Sequence, residues 1–202
     1  MVAIVDYGMG NLGSIQNMIK KLRGKSIITS SKDEIKRADK IILPGVGSFD
    51  QAMKNLDNLD LVGFLKEEVL EHDKSILGIC LGMQLLTHGS EEGNLEGFGF
   101  VDAYAKKFDV DNLRVPHMGW NIVYPKKENI YFIENMEYRY YFVHSYAVNC
   151  KNNEDILTTT NYGKEFVSSF SRKNIVGAQF HPEKSHKFGK LFFEAFLKEE
   201  NA

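Results

Sequence analysis

The amino-acid sequence predicts an α/β protein with three layers, in which a mostly parallel central sheet carries helices on both faces. Short apolar runs alternate with stretches of helical periodicity through about residue 90, as in parallel strands joined by helices. From Gly97 to Ser171 the chain is richer in strand-forming and turn residues, which predicts antiparallel additions to the sheet. No repeat, low-complexity segment or linker interrupts the sequence, so we expect one domain over residues 1–202.

The first half of the chain sets out this alternation. We expect strands at Val2–Val5, near Ser26–Thr29 and at Lys40–Leu43. A helix with apolar positions Leu12, Ile15, Ile19 and Leu22 should follow the first strand, and one with apolar positions Leu61, Phe64, Leu65 and Val69 should follow the third. Ser31 and Glu34 stand three residues apart, which predicts a capping box at the start of a short helix.

Two glycine-rich loops follow predicted strands. Gly8–Gly13 matches the dinucleotide pattern G-x-G-x-x-G, but the second strand ends in Thr29-Ser30-Ser31 and lacks the acid that holds a ribose, so a nucleotide site is the lesser interpretation. Pro44–Ser48 lies where a parallel sheet binds ligands, and it is either a tight turn or a source of N–H groups for an anion.

The segment Gly78-Ile79-Cys80-Leu81-Gly82 has the pattern of a nucleophile elbow with cysteine in place of serine. The sharp turn from strand to helix needs small residues two positions before and after the nucleophile, and glycine stands at both. Free N–H groups at the start of the helix stabilise a thiolate and an oxyanion. The alternative is a buried cysteine that only packs.

Near the C-terminus, a strand over Asn174–Phe180 leads into His181-Pro182-Glu183, and apolar positions from Phe188 to Phe196 predict a final helix. We expect His181 and Glu183 to share one face of an extended segment. Glu183 can then fix the tautomer of His181, which leaves the other ring nitrogen as a base for Cys80. Cysteine, histidine and glutamate form a nucleophile, base and orienter set; two ordinary surface residues are the alternative.

Composition excludes several classes of protein. Hydrophobic residues make up 43% and charged residues 26%, and a net charge of -2 with scattered Lys and Arg leaves no footprint for nucleic acid. No apolar run approaches membrane-spanning length, and Cys80 and Cys150 are too few for a disulfide framework or a C-x-x-C metal site. We expect a cytoplasmic protein with reduced thiols, no metal, and no nucleic-acid or membrane partner.

Beyond these derivations, the chain resembles the class I, or triad, glutamine amidotransferases, and among them the glutaminase subunits of imidazole glycerol phosphate synthase. The motifs that carry the resemblance are Asp6–Leu12, Pro44–Gly47, Gly78–Leu86, Ser90–Glu92, Pro116–Asn121, Tyr141–Tyr146 and Gln179–Ser185. The resemblance implies a flavodoxin-like fold, no cofactor, and hydrolysis of glutamine to glutamate and ammonia.

Roles for single residues also follow from the resemblance. Cys80 would form a thioester with glutamine, and His181, held by Glu183, would move the protons. The implied oxyanion donors are Val46, Gly47 and Leu81; the implied glutamine-binding residues are Gln84, Glu92, Ser145 and Tyr146; the implied partner-facing residues are Asn11, Trp120 and Lys184. The implied partner is a (β/α)8-barrel cyclase of histidine biosynthesis, which forms a heterodimer with the glutaminase and receives its ammonia.

Two segments depart from the pattern of that subunit: Gly97–Phe108 differs in sequence, and Arg23–Ser26 is short. A paralogous glutaminase that supplies ammonia to a sugar amidotransferase in surface-glycan synthesis is therefore an alternative. A stand-alone cysteine hydrolase is another, although it has no use for Gln84 and Glu92 together. A non-enzymatic scaffold is disfavoured because the complete triad is present.

Overall fold

A computed structural model describes residues 1–109, 113–133 and 136–198. The strands in these residues are β1 Val2–Val5, β2 Ser26–Thr29, β3 Lys40–Gly45, β4 Ser75–Cys80, β5 Ala103–Lys107, β6 His117–Pro125, β7 Tyr138–His144, β8 Tyr146–Cys150, β9 Ile156–Tyr162, β10 Lys164–Arg172 and β11 Ile175–Ala178. The helices are α1 Leu12–Lys21, α2 Lys32–Arg37, α3 Phe49–Asn58, α4 Leu61–Leu70, α5 Leu81–Leu85 and α6 His186–Lys198. Within the described ranges, none of these helices has the length and apolar character needed to cross a bilayer.

The sheet has a parallel part and an antiparallel part. Strands β2, β1, β3, β4 and β11 lie side by side in that order, and every pairing among them is parallel. The sheet then continues through β10, β9, β6 and β7 with antiparallel pairings, while β8 pairs with β10 and β5. The predicted fold class, a parallel sheet with antiparallel additions from the second half, is confirmed.

Helices cover both faces of the parallel strands. Alternate residues of β1 enter different cores: Ala3 and Val5 pack into one core, and Val2 and Ile4 pack into the other. The first core includes apolar side chains of α3, α4 and α5, and the second includes those of α1 and α6. The continuous apolar runs seen in the sequence are therefore required in β1, β3, β4 and β11, because these strands are buried on both sides.

The capping box predicted for α2 is wrong. Ser31 occupies the N-cap position, but its hydroxyl makes no capping hydrogen bond. Its backbone N–H instead donates to the Thr29 hydroxyl at 2.9 Å, and that hydroxyl donates to the Glu34 carboxylate. The Thr29 hydroxyl, at the end of β2, thus bridges the Ser31 N–H and the Glu34 carboxylate, which were expected to bond to each other directly.

The two glycine-rich loops pack against each other at the carboxyl edge of the sheet. Gly10 has a φ of +114°, and a Cβ atom there would lie 3.0 Å from Pro44. The Tyr7 hydroxyl donates to the Pro44 carbonyl at 2.5 Å. The first loop therefore supports the second, which borders the site described next.

Candidate active site

Cys80 lies on a sharp turn between β4 and α5, with φ 55° and ψ −109°. Glycine is required on both sides of this turn. A Cβ atom at Gly82 would lie 1.8 Å from the Leu43 carbonyl oxygen, and one at Gly78 would lie 2.6 Å from the Gly82 carbonyl oxygen. The close approach of α5 to β3 and β4 thus explains the glycine spacing, as in a nucleophile elbow. Because α5 has only five residues, the groups that it offers to a thiolate or an oxyanion are the free N–H groups of a single turn.

His181 reaches the same place from the adjacent strand. β11 pairs in parallel with β4, and Ala178 stands opposite Ile79. The backbone N–H of His181 donates to the Tyr141 carbonyl at 2.9 Å, which fixes the chain just past the strand. The histidine therefore enters the site from the strand next to the elbow.

The expected extended segment at His181–Glu183 is wrong, because Pro182–Lys184 forms a 3₁₀ turn. The turn, rather than strand alternation, brings the Glu183 carboxylate back to the ring, where its Oε1 atom lies 2.8 Å from His181 Nδ1. The Ser185 hydroxyl donates to the His181 carbonyl at 2.6 Å and holds the turn closed. The predicted pairing of His181 with Glu183 is thus reached by a different backbone path.

The His181–Glu183 pair is almost completely removed from water, with side-chain exposures of 2% and 1%. Burial alone would lower the pKa of His181, but interactions with Cys80 and Glu183 raise it to about 10. With Nδ1 held by Glu183, the Nε2 atom has no formed hydrogen bond within the described residues. The ring is therefore set up to carry a proton on the nitrogen that is free to exchange it with Cys80.

A cavity of about 320 Å³ opens over Cys80. Eight of the residues singled out in the sequence line it together: Val46, Gly47, Cys80, Leu81, Gln84, Glu92, Ser145 and Tyr146. These residues come from four separate stretches of the chain, so their convergence was not guaranteed by the sequence. The volume suits a small polar molecule of amino-acid size.

Gln84 and Glu92 already hold protein groups at the wall of the cavity. The Gln84 side-chain amide donates to the Tyr146 carbonyl at 3.2 Å and to Gln179 Oε1 at 3.1 Å. Glu92 accepts the backbone N–H of Phe49, the first residue of α3, at 2.9 Å. Both side chains therefore shape the backbone around the cavity as well as facing into it.

Several residues at the site were not singled out from the sequence. Pro116, Val143 and His144 line the cavity. Gln179 is fully buried, and its side-chain amide nitrogen lies 3.8 Å from Cys80 Sγ. The available signal was that all four lie within the motif stretches Pro116–Asn121, Tyr141–Tyr146 and Gln179–Ser185.

The three partner-facing residues lie outside this cavity. Trp120 is 43% exposed and stacks on His186 at 5.5 Å between ring centroids, so it does not pack into the core. Lys184 is exposed, with its Nζ atom 5.8 Å from the centroid of the Tyr141 ring. Asn11 is exposed at the start of α1, which packs against the 3₁₀ turn. Contact with a partner stays a prediction for all three.

Comparison with known proteins agrees with the geometry of the site. The family described as glutamine amidotransferase class-I matches residues 3–199. The chain belongs to this family. As a class I glutamine amidotransferase it is an enzyme, and the cavity over Cys80 is its candidate active site.

Relatives of this amidotransferase match along its whole length. It is 52% identical to the imidazole glycerol phosphate synthase subunit HisH 2 of Methanococcus maripaludis, with 98% of this chain and 100% of the relative covered. It is 45% identical to the subunit HisH 2 of Pseudomonas aeruginosa, with 98% of each covered. It is 44% identical to the subunit HisH 1 of Campylobacter jejuni, with 98% of this chain and 100% of the relative covered.

Solved structures share the fold of this amidotransferase. A glutamine amidotransferase crystal structure superposes with a TM-score of 0.76 at 15% identity, covering 98% of both chains. A glutamine amidotransferase from Thermotoga maritima superposes with a TM-score of 0.67 at 20% identity, covering 97% of this chain and 81% of that one. The three-layer arrangement is therefore common to distant members of the family.

Proposed function

We propose that the chain is the glutaminase subunit of an imidazole glycerol phosphate synthase. The observation that carries the proposal is the convergence, on one cavity, of the Cys80 elbow and the residues expected to bind glutamine, with His181 and Glu183 beside the nucleophile. The full-length similarity to subunits named HisH supports the choice of synthase. The partner is then a cyclase subunit, for which we propose the (β/α)8-barrel type.

The geometry supports a two-step hydrolysis. The Cys80 thiolate attacks the side-chain amide carbon of glutamine, and N–H groups of Leu81 and of the Val46-Gly47 loop hold the oxygen that becomes negative. The imidazolium of His181 donates its Nε2 proton to the departing nitrogen, so that ammonia leaves and a thioester forms.

Water completes the reaction. Neutral His181 accepts a proton from water, and the resulting hydroxide attacks the thioester carbon. Glutamate is released, and the thiolate of Cys80 and the imidazolium of His181 are restored. Glutamine and water thus give glutamate and ammonia with no net consumption of protein groups. Glu183 holds His181 in orientation through the contact of its Oε1 atom with Nδ1.

A second destination for the ammonia is favoured by one observation. The relatives at 52% and 45% identity are named HisH 2, and the relative at 44% identity is named HisH 1. Such numbers imply more than one subunit of this kind in those organisms. A paralogue of this kind can serve another synthase, such as a sugar amidotransferase of surface-glycan synthesis. The chemistry at Cys80 would be the same, and only the partner would differ.

The test is glutamate release from glutamine by the purified chain, alone, with a histidine-pathway cyclase of the same organism plus its ribotide substrate, and with a sugar amidotransferase of the same organism. Cys80→Ala is the control for the nucleophile, because it removes the sulfur and leaves the buried elbow otherwise intact. We expect strong stimulation by the cyclase and no release with Cys80→Ala under any condition.

The outcomes separate the candidates. Stimulation by the sugar amidotransferase alone would keep the glutaminase and reassign the pathway. Full activity without any partner would favour a stand-alone hydrolase. Glutamate release that persists in Cys80→Ala would overturn the assignment of the nucleophile.

A further inference from the structure

Two buried histidines beside the cavity have no part in the hydrolysis described above. His117 on β6 and His144 on β7 stand opposite each other in the antiparallel pairing. They are 3% and 6% exposed, and the Nδ1 atom of His117 lies 3.0 Å from the Nε2 atom of His144. His144 also lines the cavity over Cys80. A buried polar pair at the wall of an active site calls for an explanation.

The two rings belong to a chain of hydrogen bonds with one direction. His144 Nδ1 lies 2.8 Å from the Tyr146 carbonyl oxygen, which can only accept, so His144 carries its proton on Nδ1. Its Nε2 atom must then accept from Nδ1–H of His117. The remaining Nε2 atom of His117 accepts from the side-chain amide of Asn121 at 3.2 Å. One tautomer of each ring therefore satisfies every bond in the chain.

The surroundings keep both rings neutral. Burial lowers the pKa of His117 to about 4 and that of His144 to about 3. Aromatic rings enclose the pair on several sides: Phe108, Phe142, Tyr162 and Phe166. The neutral tautomers that the hydrogen bonds require are thus the forms present near neutral pH.

The chain of bonds ends on the backbone of the predicted glutamine site. The Tyr146 carbonyl accepts from His144 Nδ1 and from the Gln84 side-chain amide, which fills both of its lone pairs. The neighbouring Ser145 carbonyl accepts the backbone N–H of Phe108 at 3.0 Å. The break between β7 and β8 at Ser145 is therefore held by side chains from β7 and α5 and by the chain following β5.

We propose that His117 and His144 are positioning residues for glutamine. The pair holds the backbone at Ser145 and Tyr146 in the conformation that receives the α-amino and α-carboxylate groups of the substrate. This inference rests on the proposed function and deepens it, because it explains how the glutamine-binding backbone is fixed. Gln84 supports the same carbonyl from the opposite side and, through Gln179, connects it to Cys80.

The competing explanation is that the pair only fills the core. Aromatic packing alone would be preserved by phenylalanine, whereas the directed hydrogen bonds would be lost. Asparagine at position 144 would instead keep a donor near the position of Nδ1 and lose the ring. These two substitutions therefore separate the hydrogen bond from the packing.

The experiment compares His144→Phe, His144→Asn and Phe166→Leu in the complex with the partner. Phe166 contacts both rings but donates no hydrogen bond to the site, so Phe166→Leu is the matched packing control. His144→Phe removes the hydrogen bond from Nδ1 to the Tyr146 carbonyl, which contributes about tenfold to an equilibrium constant. We therefore expect the KM for glutamine to rise about tenfold in this variant, with a smaller change in kcat. His144→Asn should recover most of that loss, and Phe166→Leu should lower the melting temperature while leaving KM unchanged.

Glutamine binding is also measured in the absence of turnover, alongside the kinetics. Each change is also placed in a Cys80→Ala protein, and glutamine affinity is measured by calorimetry, where the same ranking is expected. Should His144→Phe fail to fold, His117→Gln replaces it, because its amide cannot donate to His144 from the δ position; a smaller rise in KM is expected.

The outcomes are decisive. A KM for His144→Phe equal to that of the wild type, in a complex that turns over normally, would overturn this inference alone. Increases in KM for His144→Asn and Phe166→Leu that equal or exceed the increase for His144→Phe would assign the pair to packing and also overturn it. Absence of glutamine turnover in the wild-type complex, and of glutamine binding by the Cys80→Ala protein, would overturn the proposed function and this inference with it.

Discussion

Among single residues, the chemistry depends on a cysteine held in an unfavourable backbone conformation next to a histidine held in its charged form. The positive φ of Cys80 costs about 1–3 kcal/mol for a residue with a side chain. Interactions with Cys80 and with the carboxylate of Glu183 raise the pKa of His181 and offset the burial that would otherwise discharge the ring. The elbow therefore fixes the position of the Cys80 sulfur, and the ion pair with Glu183 helps to keep a proton on His181.

The orienting role predicted for Glu183 is tested by Glu183→Gln. Removing the negative charge lowers the pKa of His181 from about 10, so the imidazolium that protonates the departing ammonia is lost at lower pH. We expect the alkaline limb of the kcat profile to move to lower pH by about 1 unit or more, and kcat to fall about 10²-fold or more. Steady-state glutaminase assays from pH 6 to 10.5 measure both effects, to be compared with Lys190→Gln, a change at an exposed lysine of α6 outside the ion pair. An alkaline limb that stays in place would argue against charge stabilisation by Glu183.

The second cysteine is predicted to be unreactive. Burial, with the charge of Asp155, raises the pKa of Cys150 to about 12, so about one molecule in 10⁴ carries this thiolate at pH 8. We expect one equivalent of iodoacetamide to react rapidly at that pH, on Cys80. Mass spectrometry of tryptic peptides locates the label, and Cys150→Ser should leave the labelling rate unchanged. Rapid labelling of Cys150 in the folded chain would contradict this expectation.

Among structural elements, the junction of β4 and α5 is tightly constrained. Gly82 lies so close to β3 that even a methyl group has no room. Replacement of this glycine must therefore displace either the elbow or the neighbouring strand, and both carry the site.

Gly82→Ala is expected to lower the free energy of unfolding by about 3 kcal/mol or more, because the new Cβ atom would lie 1.8 Å from the Leu43 carbonyl oxygen. Gly63→Ala is the matched control, since Gly63 lies within α4 with no atom within 4 Å of an added Cβ. That change should stabilise the chain by up to about 1 kcal/mol. Urea unfolding followed by circular dichroism compares the two variants. A Gly82→Ala protein as stable as the wild type would show that the junction can relax.

The elements that were predicted well are those whose burial is visible in local sequence. Strand β1 coincides with the predicted Val2–Val5, because a run buried on both faces leaves a clear apolar pattern. Strand β2 coincides with the predicted Ser26–Thr29, although this edge strand is only partly buried. The turn after His181 was missed because its shape depends on bonds to Tyr141 and Ser185. Helix α3, Phe49–Asn58, was not anticipated, although its buried side chains have helical spacing.

The candidate site was predictable to a similar extent. Its cysteine, histidine and glutamate follow strands with recognisable patterns, and their neighbours in the cavity were identified by resemblance. The pairing of His117 with His144 and the contact of Gln179 with Cys80 join positions 27 and 99 residues apart. Contacts of this kind depend on strand register, which local patterns do not reveal.

In the whole molecule, the reactive centre and the predicted partner surface lie at the same end of the fold. The elbow and the His181 turn follow β4 and β11, and the 3₁₀ turn that holds Glu183 continues into exposed Lys184. Trp120 projects from β6, whose register places it opposite Tyr141. A partner seated here would contact the segment next to His181. That residues 1–202 form a single domain stays a prediction.

The partner surface is tested by Trp120→Ala and Lys184→Ala. An exposed tryptophan at the centre of an interface is expected to contribute about 2 kcal/mol or more, so Trp120→Ala should weaken binding of the cyclase about 30-fold or more. Lys184→Ala should weaken the coupling between cyclase and glutaminase while leaving the affinity for glutamine unchanged. Tyr124→Ala is the control, because Tyr124 is 49% exposed on the same face of β6, four residues further along. Calorimetric titration with the cyclase measures binding, and glutamate release with the ribotide substrate measures coupling. Equal losses of cyclase affinity in Trp120→Ala and Tyr124→Ala would indicate that the interface extends along the whole of β6. Unchanged affinity in Trp120→Ala would show that the partner binds another surface.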